Sequence, residues 1–192
     1  MSIYISLLRG INVSGQKKVN MKELQSLYET LGLKQVSTYI QSGNVIFSCT
    51  DKSSVELSAL IEAAISKYFG FDVPVLVLSE TALNKALKQL PFDNISVTEQ
   101  GSQVIFSFLS GVVNTKDMVL LDSYLTAGEE LESSVDSNDS SNAQVIYLHC
   151  PNGYGKTKLS NTFLEKKLDV TATSRNLKTV VKLCKLAKEC HS

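Results

Sequence analysis

The sequence predicts an α+β protein made of two tandem ferredoxin-like modules. Each is an α-β plait of βαββαβ order with an antiparallel sheet, and a connecting helix and a C-terminal helix are added. Three observations lead there. The 192 residues fit one large domain or two of about a hundred or fewer each. Apolar stretches read strand, helix, strand, strand, helix, strand, and the order then restarts. Hairpins dominate the strand pattern, which speaks for antiparallel pairing and against a parallel sheet.

Residues 3–8 (IYISLL) are apolar and β-branched, as a first strand requires. Asn20 opens a helix, with Glu23 at capping-box spacing. Met21, Leu24, Leu27, Tyr28 and Leu31 then recur at helical intervals until Gly32 ends the run. VSTYI (36–40) and NVIFS (44–48) are two strands joined through Gln41-Ser42-Gly43 as a hairpin. Ser53 with Glu56 starts a second helix carrying Leu60, Ile61, Ala64, Ile65 and Tyr68 on one side, and Gly70 stops it. VPVLVLS (73–79) is a near-continuous apolar strand that completes a first module over residues 1–79.

Residues 80–100 read as a connecting helix and linker, with Leu83, Ala86, Leu87 and Leu90 turned inward and Pro91 beyond the helix end. The second module with its C-terminal helix takes residues 101–192. QVIFSFL (103–109) is a strand and MVLLDSYL (118–125) a short helix; 130–136 is a weak strand and QVIYLHC (144–150) a clear one. LSNTFLEKKL (159–168) is a helix with Ser160 or Asn161 as its N-cap, and VTATS (170–174) is a brief strand. The last helix carries Leu177, Val180, Val181, Cys184 and Ala187 on one face. SSVDSNDSSN (133–142) forms a polar, low-complexity hairpin tip. No residue-level repeat links the halves, so the duplication rests on element order.

A hydrophobic content of 43% with 20% charged residues describes an ordinary globular chain. No apolar run reaches the roughly 20 residues that cross a bilayer, and the N-terminus lacks the basic segment and cleavage site of a signal peptide. The expectation is a cytoplasmic protein with no membrane partner. Cys49, Cys150, Cys184 and Cys190 form no CxxC pair and read as reduced thiols. With two histidines, His149 and His191, no metal site is expected. The net charge of zero hides an asymmetry. Residues 1–34 carry five basic against two acidic residues, a net +3; residues 35–140 carry five against fourteen, a net −9; residues 141–192 carry nine against three, a net +6. Either the basic ends pack on the acidic middle, or they build a surface that attracts phosphate.

The stretch HCPNGYGKTKLSN (149–161) resembles a phosphate-binding P-loop, GxxxxGK[ST]. Aligned on Gly155-Lys156-Thr157, however, the first glycine falls on Cys150, and the helix starts near Ser160 rather than at the Lys-Thr pair. An NTPase is therefore excluded. Asn152-Gly153-Tyr154-Gly155 can still turn its amides outward as an anion nest beside Lys156 and Lys158, or be a plain turn before a helix. His149 alternates with Tyr147 and Val145, and no orienting partner for a general base is visible in the sequence. Lys178, Lys182 and Lys185 share a helical face that solvation alone explains.

The expected topology sorts the remaining polar loops. In the first module, Arg9-Gly10-Ile11-Asn12 and Gly15-Gln16-Lys17-Lys18 share an edge with Gln41-Ser42-Gly43-Asn44. In the second, Asn152–Lys158 shares an edge with Ser174-Arg175-Asn176. The candidate ligand-binding residues are thus Arg9, Gly10, Asn12, Lys17, Gln41, Ser42, Asn44, Asn152, Gly153, Gly155, Lys156, Lys158, Arg175 and Asn176. Against this stand ion pairs for the arginines and turn or cap roles for the asparagines. If the edges meet, Arg9, Lys156, Lys158 and Arg175 surround one crevice floored by Gly153–Gly155.

LLRGINV (7–13), TYIQSGNVIF (38–47), YLHCPNGYGKTKLSN (147–161) and TSRNLKTVVKL (173–183) resemble, in order and spacing, a bacterial family known as domain of unknown function 1697. The resemblance spans nearly the whole chain and implies two ferredoxin-like modules. The family's function is not established, so the resemblance brings no catalytic residues. Where the family commonly has an aromatic and a Trp, this chain has Cys150 and Leu177. The leading expectation is a protein, non-catalytic or weakly so, that binds a phosphate-bearing small molecule or nucleic acid through basic Gly-rich loops, with no cofactor. One alternative is a small-molecule enzyme acting on an anionic substrate in an inter-module crevice. The other is an interaction protein that assembles as a homo-oligomer.

Overall fold

Burial of the alternating apolar positions organises two sheets. A computed structural model describes residues 1–13, 15–111, 113, 115–134 and 144–190. It contains two compact units, Met1–Leu83 with Leu183–Ser192, and Asn84–Lys182. The first unit runs β1 (Ser2–Leu8), α1 (Met21–Thr30), β2 (Lys34–Tyr39), β3 (Asn44–Cys49), α2 (Ser54–Phe69) and β4 (Val75–Ser79). Helix α3 (Glu80–Lys88) follows directly. The second unit continues with β5 (Val104–Leu109), α4 (Thr115–Leu121), β6 (Glu130–Ser133), β7 (Gln144–His149), α5 (Asn161–Leu168) and β8 (Ala172–Asn176), and α6 (Leu177–Glu189) is the last helix. The fold is mixed α+β: two four-stranded sheets of order β2-β3-β1-β4 and β6-β7-β5-β8, with every described pairing between strands antiparallel.

Local signals set the helix ends. Asn20 accepts from the amides of Lys22 and Glu23. Ser53 and Glu56 form a reciprocal capping box, which satisfies two otherwise orphaned donors. Gly70 closes α2 at φ 78, a left-handed cap that glycine adopts without strain. Ser160 accepts from Phe163 N–H and so caps α5.

In the first unit the core joins Leu24 and Tyr28 of α1, Leu57, Ile61 and Ile65 of α2, and Val45 and Phe47 of β3. The fully buried Tyr28 hydroxyl shares a 2.8 Å hydrogen bond with Ser6 Oγ. Burial pushes its pKa above the usual phenol range. In the second unit Ile105, Ile146, Leu148, Leu164 and Leu168 pack together on one face of the sheet. The opposite face buries Phe106, Phe108 and Tyr147; the Tyr147 hydroxyl donates to Ala86 O of α3.

Several boundaries differ from the sequence pattern. Strand β2 begins at Lys34, not Val36, because a bulge with Gln35 at φ 51 lets two polar residues join the strand end. Strand β8 extends to Asn176, since Phe106 and Ile105 of β5 pair with Arg175 and Asn176. Helix α4 is followed by a 3-10 turn over Asp122–Tyr124. Of the polar tip 133–142, Ser133 ends β6 and residues 135–142 lie outside the described residues.

Candidate functional site

Antiparallel register brings the first set of loops together. Leu7 pairs with Asn44, so the end of β1 and the β2–β3 hairpin lie at one edge of the sheet. Leu8 N–H donates to Gly43 O (2.8 Å) and Arg9 N–H to Pro74 O (2.9 Å). Asn12, at φ 54, is the staple between the loops. Its Oδ1 accepts from Val19 N–H, and its Nδ2 donates to Val19 O and to Gln41 O (2.9 Å). Asn44 is fully buried and donates to Tyr39 O and Ser42 Oγ. Lys17 Nζ donates to Asp72 O at 2.6 Å. Gly43, at φ 76, has no room for a side chain: a Cβ would sit 2.6 Å from Leu8 Cβ. Gly10, Lys17, Lys18 and Gln41 are exposed.

The second edge forms in the other unit, where Val104 pairs with His149 and Ile105 with Asn176. Cys150 N–H donates to Gln103 O, and Gln103 Nε2 to Pro151 O. The loop after β7 is a turn with Gly153 at φ 92, followed by a 3-10 turn over Tyr154–Lys156. Gly153 N–H donates to Cys150 O and Lys156 N–H to Gly153 O, so these two amides close the turn instead of pointing outward. Asn152, Gly155, Lys156 and Lys158 are exposed, and neither lysine makes an ion pair among the described residues. Arg175 Nη1 donates to Ser174 O. Asn176 caps α6 by accepting from Thr179 N–H.

Two features escaped the sequence. Ser174 Oγ is a hub: it donates to Asn161 Oδ1 at 2.6 Å, lies 2.7 Å from Ser107 Oγ, and accepts from Tyr154 OH at 3.1 Å. This network ties the Gly-rich loop to β5, β8 and the start of α5. His149 also has a carboxylate partner, since Glu130 stands opposite it across β6–β7 and places Oε1 3.5 Å from His149 Nδ1. Among the described residues, the buried His149 Nε2 has no hydrogen-bond partner. Residue spacing could not reveal either feature, because both depend on strand register.

Chemically, these edges offer cations and fixed polar loops rather than activated nucleophiles. Cys150 is buried, and burial pushes its thiol up to about 11, with Glu129 adding to the rise and a Thr157 hydrogen bond opposing it. No cluster of three or more His, Cys, Asp or Glu that could hold a metal occurs among the described residues. Among the same residues, no helix is long and apolar enough to cross a membrane. Arg9, Gly10, Asn12, Lys17, Gln41, Ser42 and Asn44 thus gather at the first unit's edge. Asn152, Gly153, Gly155, Lys156, Lys158, Arg175 and Asn176 gather at the second unit's edge.

Comparison with known proteins adds a family and a fold. The model of a family described as "Protein of unknown function (DUF1697)" matches residues 1–136, and the chain belongs to that family. No curated protein matches the chain. The solved structure of the conserved bacterial protein SP0830 from Streptococcus pneumoniae is similar at 24% identity and a TM-score of 0.69. The alignment covers 97% of this chain and 98% of that one.

Proposed function

We propose that this member of the DUF1697 family binds a phosphate-bearing ligand, a nucleotide or a nucleic acid, through its basic glycine-containing loops, and that each unit is a ferredoxin-like plait. The plait reading is supported by βαββαβ order combined with strand orders β2-β3-β1-β4 and β6-β7-β5-β8. One observation carries the ligand reading. Lys156 and Lys158 stand exposed, without an ion pair among the described residues, on a loop fixed from beneath by the Ser174 network. Ammonium groups held near a rigid turn and not neutralised by an ion pair attract an anion.

The sheets themselves are poor platforms for stacked bases. Phe106, Phe108 and Tyr147 are buried, and Tyr4 packs against the helix-side core, stacked on Phe47. A nucleic acid would therefore be held by its backbone, with strong salt dependence and little sequence preference. The test is binding of a fluorescent DNA and RNA panel, and of nucleotides by thermal shift, at about 50 and 200 mM salt. Binding that weakens with salt and is lost in Lys156→Ala/Lys158→Ala supports the reading. No binding of any phosphate compound at the lower salt ends it.

The His149–Glu130 pair favours a second reading, an enzyme acting on an anionic substrate. A carboxylate beside Nδ1 is the arrangement that orients an imidazole for acid–base work. Turnover of a phosphorylated substrate that is lost in His149→Gln and weakened in Glu130→Gln would support it.

A further inference from the structure

The first unit's edge carries an oddity that folding alone does not ask for. Ile40 is β-branched yet sits at φ 50, in the left-handed region that favours glycine or asparagine. Its side chain is 50% exposed, and Val13, one residue beyond the staple Asn12, is 59% exposed. Strained backbone and exposed apolar surface are both unfavourable, and strain of this kind persists only where neighbours over-determine it. Here they do. The carbonyl before Ile40, Tyr39 O, accepts from buried Asn44, and the carbonyl after it, Gln41 O, accepts from Asn12. Val13 is held by a bridge to Gln16 in a turn whose outer rung is Asn12 N–H to Lys17 O. Two aliphatic side chains are thus presented on a pinned double loop, beside exposed Lys18 and exposed Lys17, whose ammonium also donates to Asp72 O.

We infer that this platform is a nucleoside-phosphate subsite, with Ile40 and Val13 against the face of the base and the Lys17 and Lys18 ammoniums toward the phosphate. The apolar area argues for a small flat ligand. Two half-exposed side chains fall far short of the roughly 800 Å² that each partner buries in a specific protein–protein interface. The flanking cations argue that the ligand is anionic. The inference rests on the phosphate-bearing ligand proposed above and narrows it to a nucleotide.

Calorimetric titration of the whole protein with adenosine 5′-phosphate, ribose 5-phosphate and inorganic phosphate tests it. The base should improve affinity over ribose 5-phosphate about tenfold, the worth of burying part of two aliphatic side chains. Ile40→Gly should erase that preference while raising Tm by roughly 2–4 °C, because glycine relieves the strain. Val13→Ser should reduce the preference without altering the backbone. Equal affinity for adenosine 5′-phosphate and ribose 5-phosphate, or a preference that survives Ile40→Gly, overturns the platform and leaves the phosphate reading standing. If none of the three compounds binds, both readings fall.

Discussion

At the edge of the first unit, two asparagine side chains hold the loops together; at the edge of the second, a serine hydroxyl does. Asn12 and Asn44 spend their amides on backbone carbonyls across loops that would otherwise splay apart. Ser174 instead gathers Ser107, Tyr154 and Asn161 around one oxygen. The cations differ as well. Lys17 is tied to Asp72 O, whereas Lys156 and Lys158 stand clear of any ion pair among the described residues. The same element order therefore supports a tightly stapled edge in one unit and a looser cationic one in the other. Lys17 is bonded into the fold at the first edge, while the second edge's lysines make no ion pair among the described residues.

The largest expected effect separates the two edges by glycine. Gly43→Ala should destabilise by about 3 kcal/mol or more, since it adds left-handed strain to an overpacked contact with Leu8 and Ile11. Gly153→Ala meets only the strain, because nothing lies within 4 Å of its Cβ position, and should cost about 1–2 kcal/mol. Urea unfolding of both variants checks this. Equal losses would mean that the first edge is no more tightly packed than the second.

A smaller effect comes from two buried thiols. Burial pushes Cys150 up to about 11 from its ordinary 9, with Glu129 adding and Thr157 opposing. Burial likewise pushes Cys184 up to about 11, with Lys188 opposing and Glu80 adding. Both thiols keep their protons longer in the folded state than in the unfolded chain. Their contribution is therefore fully present below about pH 9 and is lost as pH rises toward about 11. Urea midpoints measured from pH 8 to 11 should fall less steeply in Cys150→Ala and Cys184→Ala than in the parent. Identical slopes would show that these thiols do not differ from their unfolded values.

Much of this architecture was legible because helix caps and periodic apolar runs are local. Asn20, the Ser53–Glu56 box, Gly70 and Ser160 each mark an end that the structure keeps. What stayed hidden depends on which strand lies beside which. Ser174-Arg175-Asn176 reads as the end of the second module's fourth strand, and only pairing with β5 shows that Arg175 and Asn176 stay in the ladder. The partner of His149 sits 19 positions away, at a register that only pairing of β6 with β7 creates. The roles of Asn12 and Asn44 followed the same rule. Their residue types suggested turns, and the carbonyls they hold became visible only once β1 lay beside β3.

The smallest expected effect on stability is also the one that most sharpens the contrast between the edges. Lys156→Ala and Lys158→Ala remove exposed ammonium groups that make no ion pair among the described residues, so each should change stability by less than about 0.5 kcal/mol. Lys17→Ala removes a hydrogen bond to Asp72 O from a residue at φ 43, and should cost more, about 1 kcal/mol. Ligand binding should run the other way at the second edge. There, each lysine that contacts a phosphate contributes close to one unit to the slope of log affinity against log salt, so Lys156→Ala should flatten that slope by roughly one. Thermal melts and salt titrations on the three variants give both numbers. A Lys156→Ala protein that melts like the parent and keeps the parent's salt slope would leave the Gly153–Gly155 loop as a turn and nothing more.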